Sequence, residues 1–392
     1  MARLWEVLFV ATRLGLTSFG GPVAHLGYFR EEYVARRGWL DEHAYADTVA
    51  LCQFLPGPAS SQVGIAVGMR RAGLLGGIAA WLGFTMPSAI ALVLFAYGVS
   101  AIGDVSGHGW LNGLKIVAVA VVAYAVWGMA RSLTPDRPRV TLAILAAIAL
   151  LFVGGPAAQV GVIVAGGIAG WLVLPHRNAE PASPLSPVGR RVGVVMLAAF
   201  VALLVGLPIA ARLIDSEPLA VFDSFYRSGS LVFGGGHVVL PLLQAEVVPP
   251  GWVSNDEFVA GYGAAQAVPG PLFTFAAYLG ATMDTFRQAW VGGLFALAAI
   301  FLPSFLLVAG VLPFWDVLRA NPSFRRALGG INAAVVGILL AALYDPVWTS
   351  AVHAPEDLAL ALAAFGLLAF WKVPPWLVVL FAAAGGQAFS LL

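Results

Sequence analysis

The sequence predicts an all-α polytopic membrane protein: two inverted-topology repeats with broken or re-entrant helices, about 13 membrane elements in all. Three observations predict it. Hydrophobic residues make up 60% of the 392-residue chain and charged residues 10%, far from the balance of soluble domains. Apolar runs of roughly 15 to 25 residues recur from end to end, the length scale of a bilayer-crossing helix. And one stretch occurs twice. It runs from Arg13-Leu14-Gly15 through Phe19-Gly20-Gly21-Pro22 to Gln53-Phe54-Leu55-Pro56-Gly57-Pro58. It returns as Arg227-Ser228-Gly229, Phe233-Gly234-Gly235-Gly236 and Gln266-Ala267-Val268-Pro269-Gly270-Pro271, with Trp39 answered by Trp252.

Composition also excludes. A net charge of +1 offers no surface for nucleic acid, and a single cysteine, Cys52 in an apolar stretch, cannot form an intrachain disulfide and reads as packing. Met1 to Val10 lacks a small-residue cleavage site and reads as the start of the first membrane element. No metal-ligand cluster, phosphate-binding glycine loop or nucleophile–base constellation is present, so the expectation is no cofactor, no metal, no ATP hydrolysis and no enzyme.

Taken in order, residues 4 to about 29 form a first hydrophobic element interrupted at Gly20-Gly21-Pro22, where a continuous helix is not expected. A polar bridge, Arg30 to Glu42, precedes a segment from His43 to Met69 that Pro56-Gly57-Pro58 splits into pieces of roughly 12 residues. Neither piece can cross about 30 Å at 1.5 Å per residue, so the segment is either one broken span or a re-entrant hairpin. Further elements follow at 74–100, 111–130, 140–153 and 156–174. A proline-rich polar linker occupies 175–189. An unpartnered hydrophobic span begins at Arg190, and the second copy then runs 218–248, 258–282, 289–313, 325–344, 358–371 and 376–392. Gly76-Gly77 with Pro87-Ser88 answers Gly292-Gly293 with Pro303-Ser304. The expected division is an N-terminal repeat at 1–174, the linker at 175–189, a connecting transmembrane helix at 190–214 and a C-terminal inverted repeat at 215–392.

Charge places the two copies in opposite senses. Arg30, Arg36, Arg37, Arg70 and Arg71 flank the first motif, whereas Glu246, Asp256, Glu257 and Asp284 flank the second, with Arg287 the one basic residue there. By the positive-inside rule the first flanks face the cytoplasm and the second face outward.

Inverted repeats with broken helices build substrate sites near the bilayer midplane. A helix restarting after a break presents unpaired N–H groups and a positive dipole end, which favour an anion. The restarts contain Gly57, Ser60 and Ser61 in the first copy and Gly270 and Thr274 in the second, with amides Gln53 and Gln266 one turn before each break. Alternatively, Pro-Gly-Pro simply ends a helix at the membrane surface. Arg13 and Arg227 each lie six residues before Phe-Gly-Gly in an apolar stretch. An intramembrane arginine costs at least about 2.5 kcal/mol, so each should face a cavity or a counter-charge, unless it snorkels to the interface. Lys115 is a third such cation, although Asn332 occupies its place in the second copy. Glu32, Glu246 and Asp47 are candidate proton or counter-charge carriers, although the glutamates read first as solvated loop residues. His25 and His237 flank the glycines without matching in register and read as helix-end histidines.

On these residues the chain resembles the chromate ion transporter family in its long-chain, two-domain form. The resemblance rests on Leu14 to Pro22, Arg36-Arg37-Gly38-Trp39-Leu40 and Gln53 to Pro58, then on Phe233 to His237, Pro241 to Gln244 and Gln266 to Pro271. It covers nearly the whole chain. It implies secondary active export of chromate across the inner membrane of a bacterium, about 13 spans with oppositely oriented halves, and sulfate as the competing ligand. The ion would meet residues 57–62 and 270–274, Arg13 and Arg227 would offset its charge, and Gly20-Gly21 and Gly234-Gly235 would be the hinges of alternating access. Phe54-Leu55 against Ala267-Val268 before the breaks marks two half-sites that are not chemically equal. A sulfate or other oxyanion transporter and a passive anion channel are the alternatives. Lipid is the expected surround, and a homodimer is left open.

Overall fold

The computed structural model describes residues 2–19, 21–102, 109–153, 155–175, 188–233 and 238–390, and among them every element is helical. Gly20, Gly234, Gly235, His237 and most of the expected linker lie outside the described residues.

The first copy opens with two helical pairs. α1 (Ala2–Thr17) is followed by α2 (Gly21–Arg30) and a π-helical turn, Glu31–Arg36; α3 (Glu42–Phe54) is followed by α4 (Ala59–Ile102). The backbone leaves helical geometry at Ala72 and Gly73, dividing α4 into a short piece, 59–71, and a long one, 74–102. Ion pairs tie the outer ends of these helices to one face. Glu6 near the start of α1 meets Arg37 beyond the π turn at 3.4 Å and Arg71 at the end of the short piece at 2.9 Å. Arg30 at the end of α2 meets Glu42 at the start of α3 at 2.6 Å. Both pairs therefore enter and leave on one side. Ten residues of α2 reach about 15 Å, half the hydrocarbon thickness. The Pro-Gly-Pro segment is thus the tip of a re-entrant hairpin, which settles the alternative that sequence left open.

The long piece of α4 then crosses to the opposite face, α5 (Gly109–Leu133) returns, and α6 (Arg137–Phe152) and α7 (Pro156–Val173) form an antiparallel pair. α8 (Arg190–Leu213) lies against α13 (Ala289–Val311) with Gly193 at Pro313 and Gly310 at Leu197, so the two run antiparallel. The second copy repeats the plan from the other face. α9 (Glu217–Leu231) pairs with α10 (Val239–Val247), and α11 (Asn255–Ala265) pairs with α12 (Phe275–Thr282). Thr285, just before α13, donates to Glu217 at the start of α9, and the Trp290 N–H meets the Tyr97 hydroxyl near the far end of α4. The second hairpins therefore open where the first copy's long helix ends. Inversion follows. α14 (Trp315–Ala320), α15 (Pro322–Ala342), α16 (Pro355–Ala369) and α17 (Pro375–Phe389) complete it.

Among the described residues five helices are long and apolar enough to cross a membrane: α4, α5, α8, α13 continued to Phe314, and α15 continued to Trp348. The 15–18 residues of α6, α7, α16 and α17 reach about 22–27 Å, most of the way across. The membrane elements are accordingly a mixture of crossing helices and half-depth hairpins. Small residues allow this density. Gly68 faces the carbonyl of Gly76 where the two pieces of α4 cross, and Gly280 faces that of Gly292 where α12 meets α13, close backbone contact of the kind that drives helix association in lipid.

In a Cys52→Ala background, single cysteines at Glu31 and Asp284, both exposed, should react with a membrane-impermeant maleimide from opposite faces. Labelling of both from one face would overturn the inversion.

Candidate functional site

The two breaks are built so that few polar backbone groups go unpaired. Pro56 and Pro58 carry no N–H, which leaves two donors between α3 and α4. Leu55 N–H bonds within α3 to Leu51 O, and Gly57 N–H bonds to Val232 O at 2.6 Å, across to the second copy at the end of α9. The second break mirrors this. Gly270 N–H donates to Ser18 O at the end of α1 at 2.9 Å. Ser18 and Val232 are themselves equivalent positions of the duplication. Each Pro-Gly-Pro is therefore docked on the interrupted first element of the opposite half. The conformations demand glycine: φ is +121° at Gly57 and +94° at Gly270. Space demands it as well, since a methyl at Gly57 would stand 2.5 Å from both Gln62 Nε2 and Ser304 Oγ.

The first copy brings polar side chains to the breaks. Gln62 Nε2 donates to Pro56 O at 2.6 Å and approaches Ser304 Oγ at 3.4 Å. His25 Nδ1 lies 3.3 Å from Ser60 Oγ. The hydroxyls of Ser18, Ser61 and Thr85 are buried with no protein partner. With the first N–H groups of α4, which have no intrahelical acceptor, they form a set of donors in a protein interior. The equivalent residues of the second copy are apolar: Val232 for Ser18, Val239 for His25, Phe273 for Ser60, Phe275 for Gln62 and Phe301 for Thr85, all buried. Thr274 answers Ser61, but its hydroxyl donates to Pro271 O in its own turn. The inequality that sequence showed only at Phe54-Leu55 extends through the whole lining.

The arginines have counter-charges. Arg13 lies 3.8 Å from Glu32, which also takes Arg36 at 3.0 Å and Arg37 at 2.7 Å. At the matching place Arg227 pairs with Glu246 at 2.9 Å and with Asp223 one turn back at 2.8 Å. Both pairs join the first and second helices of a re-entrant hairpin. Burial pushes Glu32 upward, but the Arg37 hydrogen bond and the charges of Arg36, Arg37 and Arg13 together hold it below the ordinary carboxylate range. Lys115 is buried in α5 and meets Asp256 in the first turn of α11 at 2.8 Å, a bridge between the halves. Gln53 is exposed in the last turn of α3, Gln266 half-buried after α11, and Asp47 half-buried on α3. The His25–Ser60 contact was not foreseen; Ser60 was legible as a helix-start hydroxyl, but nothing in the spacing brings a histidine 35 residues earlier onto it. Among the described residues no group of His, Cys, Asp and Glu is placed to hold a metal ion.

An inverted repeat whose broken helices dock on the opposite half in the interior, around buried donors, defines the class as a membrane transporter. A family model described as "Chromate transporter" matches residues 5–171 and 219–387, once in each copy, and the chain belongs to that family. The chain is 28% identical to a chromate transport protein of Pseudomonas aeruginosa over 95% of this chain and 89% of the relative. It is 25% identical to a probable chromate transport protein of Synechococcus elongatus over 96% and 93%. An uncharacterised transporter of Bacillus subtilis is 30% identical over 42% of this chain yet 84% of its own length. No solved structure matches significantly.

Alanine at Gly38, where φ is +58° and nothing lies within 4 Å of the new methyl, should cost about 1–2 kcal/mol. Alanine at Gly57 adds a clash and loosens the docked break, and should cost about 3 kcal/mol or more. Thermal unfolding of the purified protein in detergent checks the order Gly57→Ala before Gly38→Ala.

Proposed function

We propose that the protein is a secondary active transporter that exports chromate from the cytoplasm across a bacterial inner membrane, driven by the membrane potential or the proton gradient. The observation that carries this reading is the docking of each Pro-Gly-Pro break on the opposite half, together with buried hydroxyls of the first copy that have no protein partner. Helix-start N–H groups and hydroxyls suit the oxygens of a tetrahedral dianion, and relatives that align along nearly the whole chain are named as chromate transport proteins. Sulfate has the same shape and charge, and these donors do not separate the two, so sulfate competes.

In this reading Gly57, Ser60 and Ser61 offer the first contacts, Gly270 and Thr274 complete the opposite wall, and Gln53 and Gln266 guide the ion to the breaks. Arg13 and Arg227 leave Glu32 and Glu246 for the arriving dianion, and Lys115 leaves Asp256 as the far side opens. Asp47 is a further counter-charge on α3. The hinges are Gly20-Gly21 and Gly234-Gly235. The chain divides at 1–174, 175–189, 190–214 and 215–392, and α8 gives the halves their opposite sense.

Everted membrane vesicles should accumulate radiolabelled chromate when a gradient is imposed, with excess sulfate suppressing part of the uptake. Gradient-independent flux that only equilibrates would replace the transporter by a channel. Arg13→Ala and Arg227→Ala should insert normally and lose transport by at least about 100-fold, the scale of a lost charge-assisted contact to a desolvated ion. Wild-type rates in either would remove the arginines from the site.

A further inference from the structure

We infer that His25 is the protonation-sensitive element of the first-half anion site, its ring deciding whether the Ser60 hydroxyl points at the ring or at a bound oxyanion. The inference rests on the transport reading above and deepens it.

The duplication supplies an internal control. His25 and Ser60 are both almost wholly buried, and their equivalents Val239 and Phe273 fill the same positions in the second copy. The architecture closes there with two apolar side chains, so packing alone does not call for a buried histidine–serine pair. The pair also stands in the first turn of α4, next to Ser61, whose buried hydroxyl has no protein partner.

Nδ1 faces Ser60 Oγ at 3.3 Å, and the Ser18 backbone lies beside the ring. Ser18 N–H is already given to Leu14 O, so the acceptor there is the Ser18 carbonyl, which also takes Gly270 N–H. Phe84 presents its ring edge-on at 5.4 Å and blocks sideways movement. A neutral imidazole has one N–H and one acceptor nitrogen. With its N–H committed to the carbonyl, it meets Ser60 as an acceptor, and the hydroxyl proton points into the ring. When a proton from solvent binds the free nitrogen, both nitrogens become donors. Ser60 Oγ then accepts, its own proton turns toward the α4 N-terminus, and a positive charge stands beside the site. Both changes favour an anion. Binding of the dianion is thereby coupled to uptake of one proton at His25.

Other titratable groups surround α2. They are Arg3, Glu6 and Arg13 on α1, Tyr28 and Arg30 on α2 itself, Glu31, Glu32, Tyr33 and Arg36 on the π turn, Glu42, Tyr45, Asp47 and Cys52 on α3, and Arg70 and Arg71 on α4. Arg13 pairs with Glu32, Arg71 with Glu6 and Arg30 with Glu42, while Tyr45 donates to Leu26 O.

The test is calorimetric binding of sulfate, and of chromate in parallel, to the purified full-length protein in detergent between about pH 5.5 and 8, in two buffers of different ionisation enthalpy. Sulfate stays a dianion across this range; chromate's own protonation enters every variant alike. Wild type should lose about tenfold in affinity per pH unit over part of the range and take up about one proton per anion bound. His25→Gln, shown folded by size exclusion, should flatten the dependence to within about twofold and abolish the proton uptake. Ser60→Ala, a small change with little risk to folding, should lose about tenfold at the acidic end and little at the alkaline end, where the ring already holds the hydroxyl. An unchanged slope and proton uptake in His25→Gln, or a loss in Ser60→Ala equal at every pH, would overturn the inference and leave the transport reading standing. Failure of the wild type to bind either oxyanion at any pH would overturn both.

Discussion

Two backbone hydrogen bonds hold the middle of this protein together: Gly57 N–H to Val232 O, and Gly270 N–H to Ser18 O. Apolar surroundings do not forgive an unpaired peptide group, and a helix cannot be broken at half depth unless something takes over its hydrogen bonds. Here each break is completed by the other half. The prolines remove the donors that would otherwise need partners, and glycine supplies the one donor that reaches across. Everything else follows from that exchange. The hairpins can stop at half depth because their tips are docked, the helix starts are held inside the protein, and neither half can form its own centre alone.

The exchange is symmetric, but what surrounds it is not. Ser88 and Ser304 occupy equivalent places at the two breaks, yet Ser18, His25, Ser60, Gln62 and Thr85 on one side become valine and phenylalanine on the other. The scaffold thus separates two tasks that a strict two-fold would force together. One half carries donors. The other supplies a buried aromatic wall, with Phe273 packed on Phe301 at 5.7 Å.

Most of the scaffold could be read from residues. The duplication, the breaks and the inversion follow from Phe-Gly-Gly, Pro-Gly-Pro and the arginine flanks, because glycine, proline and positive-inside charge each act locally. The matching offset of Glu32 and Glu246 was legible too, but not their pairing with Arg13 and Arg227, because a carboxylate at the exit of the first element reads as a solvated loop residue. Sequence left open whether the broken segments span or re-enter, because helix length is the same either way; the Glu6 contacts to Arg37 and Arg71 decide it. Reading two similar anion sites from two similar motifs was too even-handed. Position by position the lining differs: the register of the duplication sets Val239 and Phe273 against His25 and Ser60, and only the fold shows that His25 and Ser60 touch. The contact between Gln62 and Ser304 joins residues far apart in the chain, and no periodicity could have announced it.

α8 touches the rest of the protein along one narrow stripe, with Gly193 as its one buried residue, and has no counterpart in either copy. Its consequence is a matter of gene economy. A half-length ancestor building the same crossed centre would have had to enter the membrane in both senses and find its opposite in equal number. Its two orientations, sharing one sequence, could never have drifted apart. One added helix fixes the ratio at one to one within a single polypeptide, and from then on a change in one copy no longer has to suit the other.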